Sequence, residues 1–188
     1  MQPKNKMMEK AQKREEFLLR IGGLANGTHC VSIKCDKAFF DIAQIDGVEN
    51  GDLDLQVKME IHDKNVQIEF KFNGYVTSTC DRCLDDVDVP LDFAELLVVK
   101  MVENPDAFEQ NEDDNLWYIK EKEPMIDVFH FVYESIVLAL PMRIVHPDDE
   151  NGNSTCNPDI LAKLKNISAK DDDIDPRWNA LKNLKTNE

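Results

Sequence analysis

The sequence contains no run of about 18 apolar residues, which is the length that a membrane-spanning helix requires. The lysines near the N-terminus are not followed by an apolar segment, so the pattern predicts no secretory signal. Internal repeats, a phosphate-binding glycine loop, a Rossmann fingerprint and a nucleophile elbow are also missing. We therefore expect a cytoplasmic protein that acts away from membranes and takes no small-molecule substrate.

Basic residues are scarce, since 22 lysines and arginines stand against 37 acidic residues and the net charge is −15. A surface of this sign repels phosphates, so we expect any RNA contact to be local or to pass through a basic protein. Residues 1–20 are the exception, because six of them are basic and three are acidic. We interpret residues 1–15 as a flexible basic tail, and an arm that docks on RNA is the alternative.

Cysteine is present in an odd number, five. In a cytosolic chain such thiols are metal ligands or free groups more often than disulfides. Cys80 and Cys83 lie three positions apart, at a bend between two segments in which apolar and polar residues alternate. This arrangement is typical of a zinc knuckle, in which a tight turn points both sulfurs inward. Cys30 and Cys35 lack a usual ligand spacing, and we interpret them as packing or exposed thiols.

Four residues together provide the ligands of a Cys3His zinc site: Cys80, Cys83, His146 and Cys156. Closed sites with four protein ligands are structural rather than catalytic. The gap of ten positions between His146 and Cys156 is wider than in a usual second knuckle. Two hypotheses stay open: a structural zinc site that ties the sheet to the C-terminal segment, and thiols that lie close together without a metal.

Apolar and polar residues alternate in several segments, as they do in strands with one buried face. The best example is a predicted hairpin, in which residues 53–59 and 66–72 flank a turn at Asp63-Lys64-Asn65. Gly74 interrupts this pattern, which indicates a bulge or a close approach of the backbone. Further extended segments are predicted at 17–21, 30–33, 75–79, 87–93, 96–102 and 116–119.

Residues 125–140 change to helical spacing of their apolar side chains, and Pro141 ends the segment. Asp127, His130 and Glu134 fall near one side of this predicted helix, and we name them the polar stripe. A histidine between two carboxylates can be tuned for proton transfer, so catalysis is one interpretation of the stripe. The other is a solvated edge on a mostly buried helix.

Two further helices are predicted near the C-terminus, because Asn157-Pro158 and Asp175-Pro176 each combine a cap with a proline at the first helical position. The fold class that we predict is α+β, with about six to eight strands in a mostly antiparallel curved sheet or open β-barrel, one long helix and short C-terminal helices. The predicted organisation is a tail over 1–15, a sheet-dominated core domain over 16–141, and a C-terminal loop with two short helices over 142–188.

Several short motifs follow one another along the chain in a specific order and spacing: Phe39-Phe40, Gly74 with the strand that leads into Cys80-Asp81-Arg82-Cys83-Leu84, Glu134-Ser135-Ile136 to Leu140-Pro141, Cys156, and Asp175-Pro176-Arg177-Trp178. In this order the motifs resemble the YceD family, the large ribosomal RNA subunit accumulation proteins. The likeness extends over most of the chain, roughly from the first predicted strand to Leu184. The acidic character resembles the Bacteroidetes branch of that family.

The resemblance implies a non-enzymatic role in large-subunit ribosomal RNA accumulation or processing and in ribosome assembly. Its implied partners are large-subunit ribosomal RNA, assembly intermediates or a basic ribosomal protein, and Arg82, Arg177 and Trp178 are the expected contact residues. Many relatives have a second close cysteine pair in the C-terminal loop, where this chain has His146 and Cys156. The alternative function is a zinc- or thiol-dependent small enzyme, or a redox sensor, that uses the CxxC or the polar stripe.

Overall fold

The computed structural model describes residues 10–107, 115–123 and 125–168. The contacts within the chain divide it into two compact units. The first unit runs up to Thr79 and continues from Asp86 to Ile144. The second unit combines Cys80–Asp85 with the segment that begins at Val145.

The first unit contains most of the secondary structure. Residues 10–15 are helical (α1). The elements that follow in this unit are β1 Leu18–Arg20, β2 Gly27–Cys35, α2 Lys37–Ala43, β3 Val48–His62, β4 Asn65–Thr79, β5 Asp86–Val102, a 3-10 turn at Pro105–Ala107, β6 Leu116–Lys120, β7 Met125–Asp127 and α3 Phe129–Ala139. The second unit contains α4, Pro158–Ser168.

The main sheet has five strands in the order β2-β3-β4-β5-β6. The first four pair with one another in antiparallel fashion, whereas β6 runs parallel to β5. A separate antiparallel pair is formed by β1 and β7. The predicted α+β class with a mostly antiparallel sheet is therefore confirmed. The sheet is not closed into a barrel, because β2 and β6 lie at opposite ends of the strand order and do not pair with each other.

The β3–β4 hairpin follows directly from the alternating sequence. All eight apolar side chains of the predicted pair are at most 2% exposed. Burial of each large aliphatic or aromatic side chain contributes about 1.5–3 kcal/mol, so this face dominates the stability of the sheet. The pairing of β4 runs without interruption through Gly74, so the predicted bulge is wrong. The alternative, a close approach, is confirmed, since a Cβ atom at Gly74 would collide with the carbonyl oxygen of Asp52.

An aromatic cluster closes the core beside the sheet. Phe39 of α2 lies 5.2 Å from both Phe17 and Phe129, measured between ring centroids. The helix that carries Phe39 begins where the Asp36 carboxylate accepts hydrogen bonds from the backbone N–H groups of residues 38 and 39, at 3.0 and 3.3 Å. Such a cap satisfies donors that a helix N-terminus otherwise leaves unpaired. The motif Phe39-Phe40 thus belongs to the core.

The helix predicted over 125–140 is shorter in the structure. Its first residues form β7, in which Ile126 pairs with Leu19 of β1 and is 4% exposed. Tertiary pairing thus overrides the helical spacing at this end. The helix α3 has 11 residues, as many as α4, so the expectation of one long helix is wrong. It packs on the sheet, since the Phe131 ring lies 4.9 Å from that of Phe70.

The segments predicted as strands at 87–93 and 96–102 form one strand, β5, of 17 residues. The helix predicted at Asp175-Pro176 and the basic residues of the tail before residue 10 lie outside the described residues. No helix in the described ranges is long and apolar enough to cross a membrane.

Candidate metal centre

The Cys80–Asp85 segment folds as a tight turn. The backbone N–H of Cys80 donates to the Asp85 carbonyl, and the N–H of Leu84 donates to the Cys80 carbonyl, both at 2.9 Å. Leu84 has a φ of 64°, in the left-handed region, which allows the chain to reverse within this short distance. The N–H of Arg82 points at Cys80 Sγ from 3.5 Å. The predicted bend is therefore a turn that holds its first thiol against backbone donors.

A second turn brings together two residues that the sequence separates widely. Between His146 and Cys156, the Asp149 side chain accepts hydrogen bonds from the backbone N–H groups of Asn151 and Asn153, at 2.9 and 2.7 Å. These donors, Asn153 first, lower the pKa of Asp149. The backbone N–H of residue 149 also donates to the Asn153 carbonyl at 2.7 Å. The intervening residues thus fold back on themselves, and the ten-residue gap is spanned by a closed loop.

The four predicted ligands converge. Their ligand atoms all lie within 4.8 Å of one another. Cys80 Sγ is 3.8 Å from Cys156 Sγ, and His146 Nδ1 is 3.5 Å from Cys83 Sγ and 3.8 Å from Cys156 Sγ. Tetrahedral zinc with Zn–S of about 2.3 Å and Zn–N of about 2.0 Å separates two sulfurs by about 3.8 Å and sulfur from nitrogen by about 3.5 Å. The donor set and its spacing therefore fit zinc.

Polar contacts link the two turns around the ligands. The Arg82 guanidinium donates to Ser154 Oγ at 2.6 Å, and the same oxygen accepts from the Cys156 backbone N–H at 3.3 Å. The Asn157 side-chain amide donates to the Asp85 carboxylate at 3.1 Å. Such outer contacts orient metal ligands and restrict their movement. Arg82, which the sequence suggested as an RNA or partner contact, is half-buried and is engaged in this framework.

Burial in the second unit is concentrated on its thiols. Cys80, Cys83 and Cys156 are at most 3% exposed, and within residues 80–85 and 145–167 they are the only buried residues. The apolar side chains of α4 stay partly or largely exposed, with Ile167 at 69%. The described part of this unit has no hydrophobic core of its own, and small units of this kind usually depend on a metal or on disulfides. The five cysteines are free thiols, so the described part of the unit contains no disulfide.

The thiols differ in acidity. Burial raises the pKa of Cys80, but the backbone N–H groups of Cys83 and Arg82 and the His146 ring together lower it to about 6. The Ser154 hydroxyl lowers the pKa of Cys156. Burial raises the pKa of Cys83, and the neighbouring thiols reinforce this shift. Hydrogen bonding to Cys80 raises the pKa of His146. The thiolate form is thus more favoured than usual at Cys80 and at Cys156, and a thiolate is the form that binds a metal cation.

The two other cysteines belong to the first unit. Cys30 is exposed on β2, and Cys35 is fully buried. Burial raises the pKa of Cys35 to about 12, which keeps it as an unreactive thiol. The interpretation of Cys30 and Cys35 as exposed and packing thiols is confirmed.

The polar stripe is divided in the structure. Asp127 accepts from the Phe129 backbone N–H at 2.9 Å and pairs with Arg14 at 3.3 Å. His130 and Glu134 form a different, largely exposed pair with 3.1 Å between Nε2 and Oε1.

The sequence did not identify Ser154 and Asn157 as part of the metal centre, although their contacts hold its two turns together. The signal for Asn157 was its helix-capping position, and Ser154 gave none.

The expected contact residues Arg177 and Trp178 lie outside the described residues.

Neither a search of curated proteins nor a search of solved structures returns a match to this chain. The family model described as large ribosomal RNA subunit accumulation protein YceD matches residues 68–185. This stretch is more than half of the chain and includes all four residues of the metal centre, whereas Phe39-Phe40 precedes it. The chain therefore belongs to the YceD family.

Proposed function

We propose that this protein is a non-enzymatic factor in large-subunit ribosomal RNA accumulation and ribosome assembly. The observation that carries this proposal is the family match, since the description of that family names large ribosomal RNA subunit accumulation. In this proposal the protein works in the cytoplasm, where bacterial ribosomes assemble, and binds assembly intermediates of the large subunit.

The charge of the chain supports a protein-mediated contact over binding to bare RNA. A net charge of −15 repels phosphates and attracts the basic surfaces of ribosomal proteins. The primary partner is therefore a basic ribosomal protein, and contact with ribosomal RNA is local. An interaction of this kind weakens as salt rises, because the Debye length falls from about 10 Å at 0.1 M to about 3 Å at 1 M.

We also propose that Cys80, Cys83, His146 and Cys156 hold a structural zinc ion. The distances among their ligand atoms support four protein ligands on one ion. Zinc sites with four protein ligands leave no open position for a substrate, and their binding energy contributes to folding. The ion supplies the stabilisation that an apolar core provides in larger units.

The experiment is affinity purification of the tagged protein from its own cells, with and without nuclease, at low and high salt. The expected result is recovery of large-subunit precursors, with a basic ribosomal protein retained after nuclease treatment and lost at high salt. Cys83→Ser is expected to reduce this recovery, whereas Cys30→Ser, which removes an exposed thiol outside the centre, retains it. Recovery of no large-subunit component in any condition contradicts the proposed function.

A further inference from the structure

The first unit has a groove between α3 and β5. Its wider part has a volume of about 580 Å³ and is lined by residues that include Glu95, Tyr133 and Leu138. An adjoining depression of about 320 Å³ is lined by Phe93 and shares Glu95 and Leu138 with the first. The two depressions thus form one continuous groove along the C-terminal half of the helix.

The groove lies beside the part of β5 in which the inward side chains are not fully buried. Leu91 and Leu97 occupy inward positions of this strand and are buried. Phe93 and Glu95 occupy the inward positions between them but remain partly exposed. Phe93 stacks on Phe72, with ring centroids 4.4 Å apart, and its side chain remains partly exposed. A carboxylate at an inward strand position is costly unless water or a cationic partner reaches it.

The helical wall of the groove is apolar and exposed. Leu138 is 83% exposed and Val137 is 37% exposed, although both lie on a helix whose other face packs into the core. Ala139 continues this wall into the adjoining depression. Exposed apolar side chains that line a continuous groove mark an interaction surface more often than a solvated one.

The charge of the groove has one sign. The carboxylates of Glu95 and Glu134 line it, and neither lysine nor arginine is among its lining residues. His130 lies beside the groove as the partner of Glu134. The last turn of α3 carries no basic residue, so the partial negative charge of the helix C-terminus adds to the carboxylates. The complement of this groove is an apolar side chain flanked by lysine or arginine.

We propose that the groove between α3 and β5 binds a segment of a basic protein in which apolar side chains are flanked by lysine or arginine. The apolar side chains contact Phe93, Val137 and Leu138, and the cations pair with Glu95 and Glu134. The identification of this protein as a ribosomal protein rests on the proposed function. RNA does not complement the groove, because its phosphates meet carboxylates.

The test uses the purified full-length protein and a short fluorescein-labelled peptide in which two leucines are flanked by lysine and arginine. Two control peptides replace either the leucines by serine or the basic residues by glutamate. Fluorescence anisotropy is expected to show binding of the first peptide only. Glu95→Lys and Leu138→Gln are each expected to weaken it about tenfold, which corresponds to about 1.4 kcal/mol.

Matched controls change equivalent groups outside the groove. Glu49→Lys alters the same charge at an exposed position of β3, and Met125→Gln removes another exposed apolar side chain. Both are expected to bind the peptide as the unaltered protein does. Because Leu138 is largely exposed, its substitution leaves folding intact, and circular dichroism verifies this for each variant.

Other results overturn the proposal. These are equal weakening by the control variants, equal binding of the serine peptide, preferential binding of an RNA oligonucleotide at the groove, or self-association that Leu138→Gln abolishes. The proposed function is tested separately by recovery of large-subunit precursors. If precursors are recovered but no peptide binds, the groove proposal fails alone. If the peptide binds as expected but no precursors are recovered, the proposed function fails alone.

Discussion

Cys80 and Cys156 are 76 positions apart in the sequence, yet their Sγ atoms lie 3.8 Å apart. Two sulfurs that share a tetrahedral zinc ion have this separation, about 3.8 Å. His146 completes the relationship, since its Nδ1 atom is 3.8 Å from Cys156 Sγ. The second unit is thus organised around a ligand set, and its behaviour should depend on the metal.

Removal of the metal is expected to loosen the second unit selectively. After treatment with a strong chelator, amide hydrogens of residues 80–85 and 145–157 should exchange at least about 100-fold faster, because structural zinc contributes folding free energy. Amides in the centre of β3 and β4 should keep their protection, because their pairing is continuous and their side chains are buried. Hydrogen–deuterium exchange with mass spectrometry measures both regions at once.

The control for this prediction is Cys83→Ser, which should exchange rapidly in the second unit before any chelator is added. Unchanged protection of residues 80–85 after verified removal of the metal would show that the thiols are held without it.

In the metal-free protein, the Cys80 thiol should titrate far below the ordinary range in the molecules whose second unit stays folded. The pKa of Cys80 falls from 9.0 to about 6, so its thiolate persists as pH decreases from 9 to 6. An acid whose pKa is lowered by folding stabilises the folded state fully above its unfolded pKa, and that stabilisation is lost as pH falls through the folded value. Ultraviolet thiolate absorbance should therefore show a step near pH 6.

Serine substitutions show which cysteine gives the thiolate step near pH 6. Cys80→Ser should remove it, whereas Cys30→Ser should leave it in place. A first thiolate step at pH 8 or above in the metal-free protein would mean that the donors around Cys80 do not stabilise its charge.

Substitution of two glycines distinguishes the cost of backbone strain from the cost of a steric collision. Gly27 and Gly74 both have φ in the region that disfavours other residues, at 135° and 147°. A Cβ at Gly27 meets nothing within 4 Å, whereas at Gly74 it meets the backbone of Asp52. Gly27→Ala should reduce the free energy of unfolding by about 2 kcal/mol through strain alone. Gly74→Ala should cost at least about 2 kcal/mol more, because the paired strand must move.

Denaturant unfolding with a common m-value measures this difference. Equal losses for the two variants would show that β3 yields to the added methyl group at little cost.

The parts of the fold that the sequence predicts best are those with a simple period. The β3–β4 hairpin is such a part, because one buried face requires strict alternation on both strands. The prediction split β5 because Ala94, Glu95 and Leu96 break its alternation. Those residues remain paired with β4, and Glu95 is tolerated because α3 leaves a groove beside it. The sequence pattern of the strand does not show such a groove, because the helix that forms its other wall is distant in the sequence.

The metal centre was predictable as a set of residues, but the sequence left its closure undecided. The gap between His146 and Cys156 argued against a second knuckle, since ordinary spacing between ligands is shorter. The structure spans this gap with a loop that Asp149 holds through its hydrogen bonds to Asn151 and Asn153. Side-chain capping of this kind is not specified by ligand spacing. The prediction that the helix begins at residue 125 was wrong for a related reason, because the pairing of Ile126 with Leu19 is a long-range contact that local spacing does not show.

The central claim is that Cys80, Cys83, His146 and Cys156 hold one structural zinc ion. The most direct measurement is native mass spectrometry of the freshly purified protein, with elemental analysis, beside Cys83→Ser and the matched control Cys30→Ser. The account predicts one zinc per chain in the unaltered protein and in Cys30→Ser, and a loss of most of it in Cys83→Ser. Absence of zinc from unaltered protein purified without chelator, or full retention in Cys83→Ser, would contradict it.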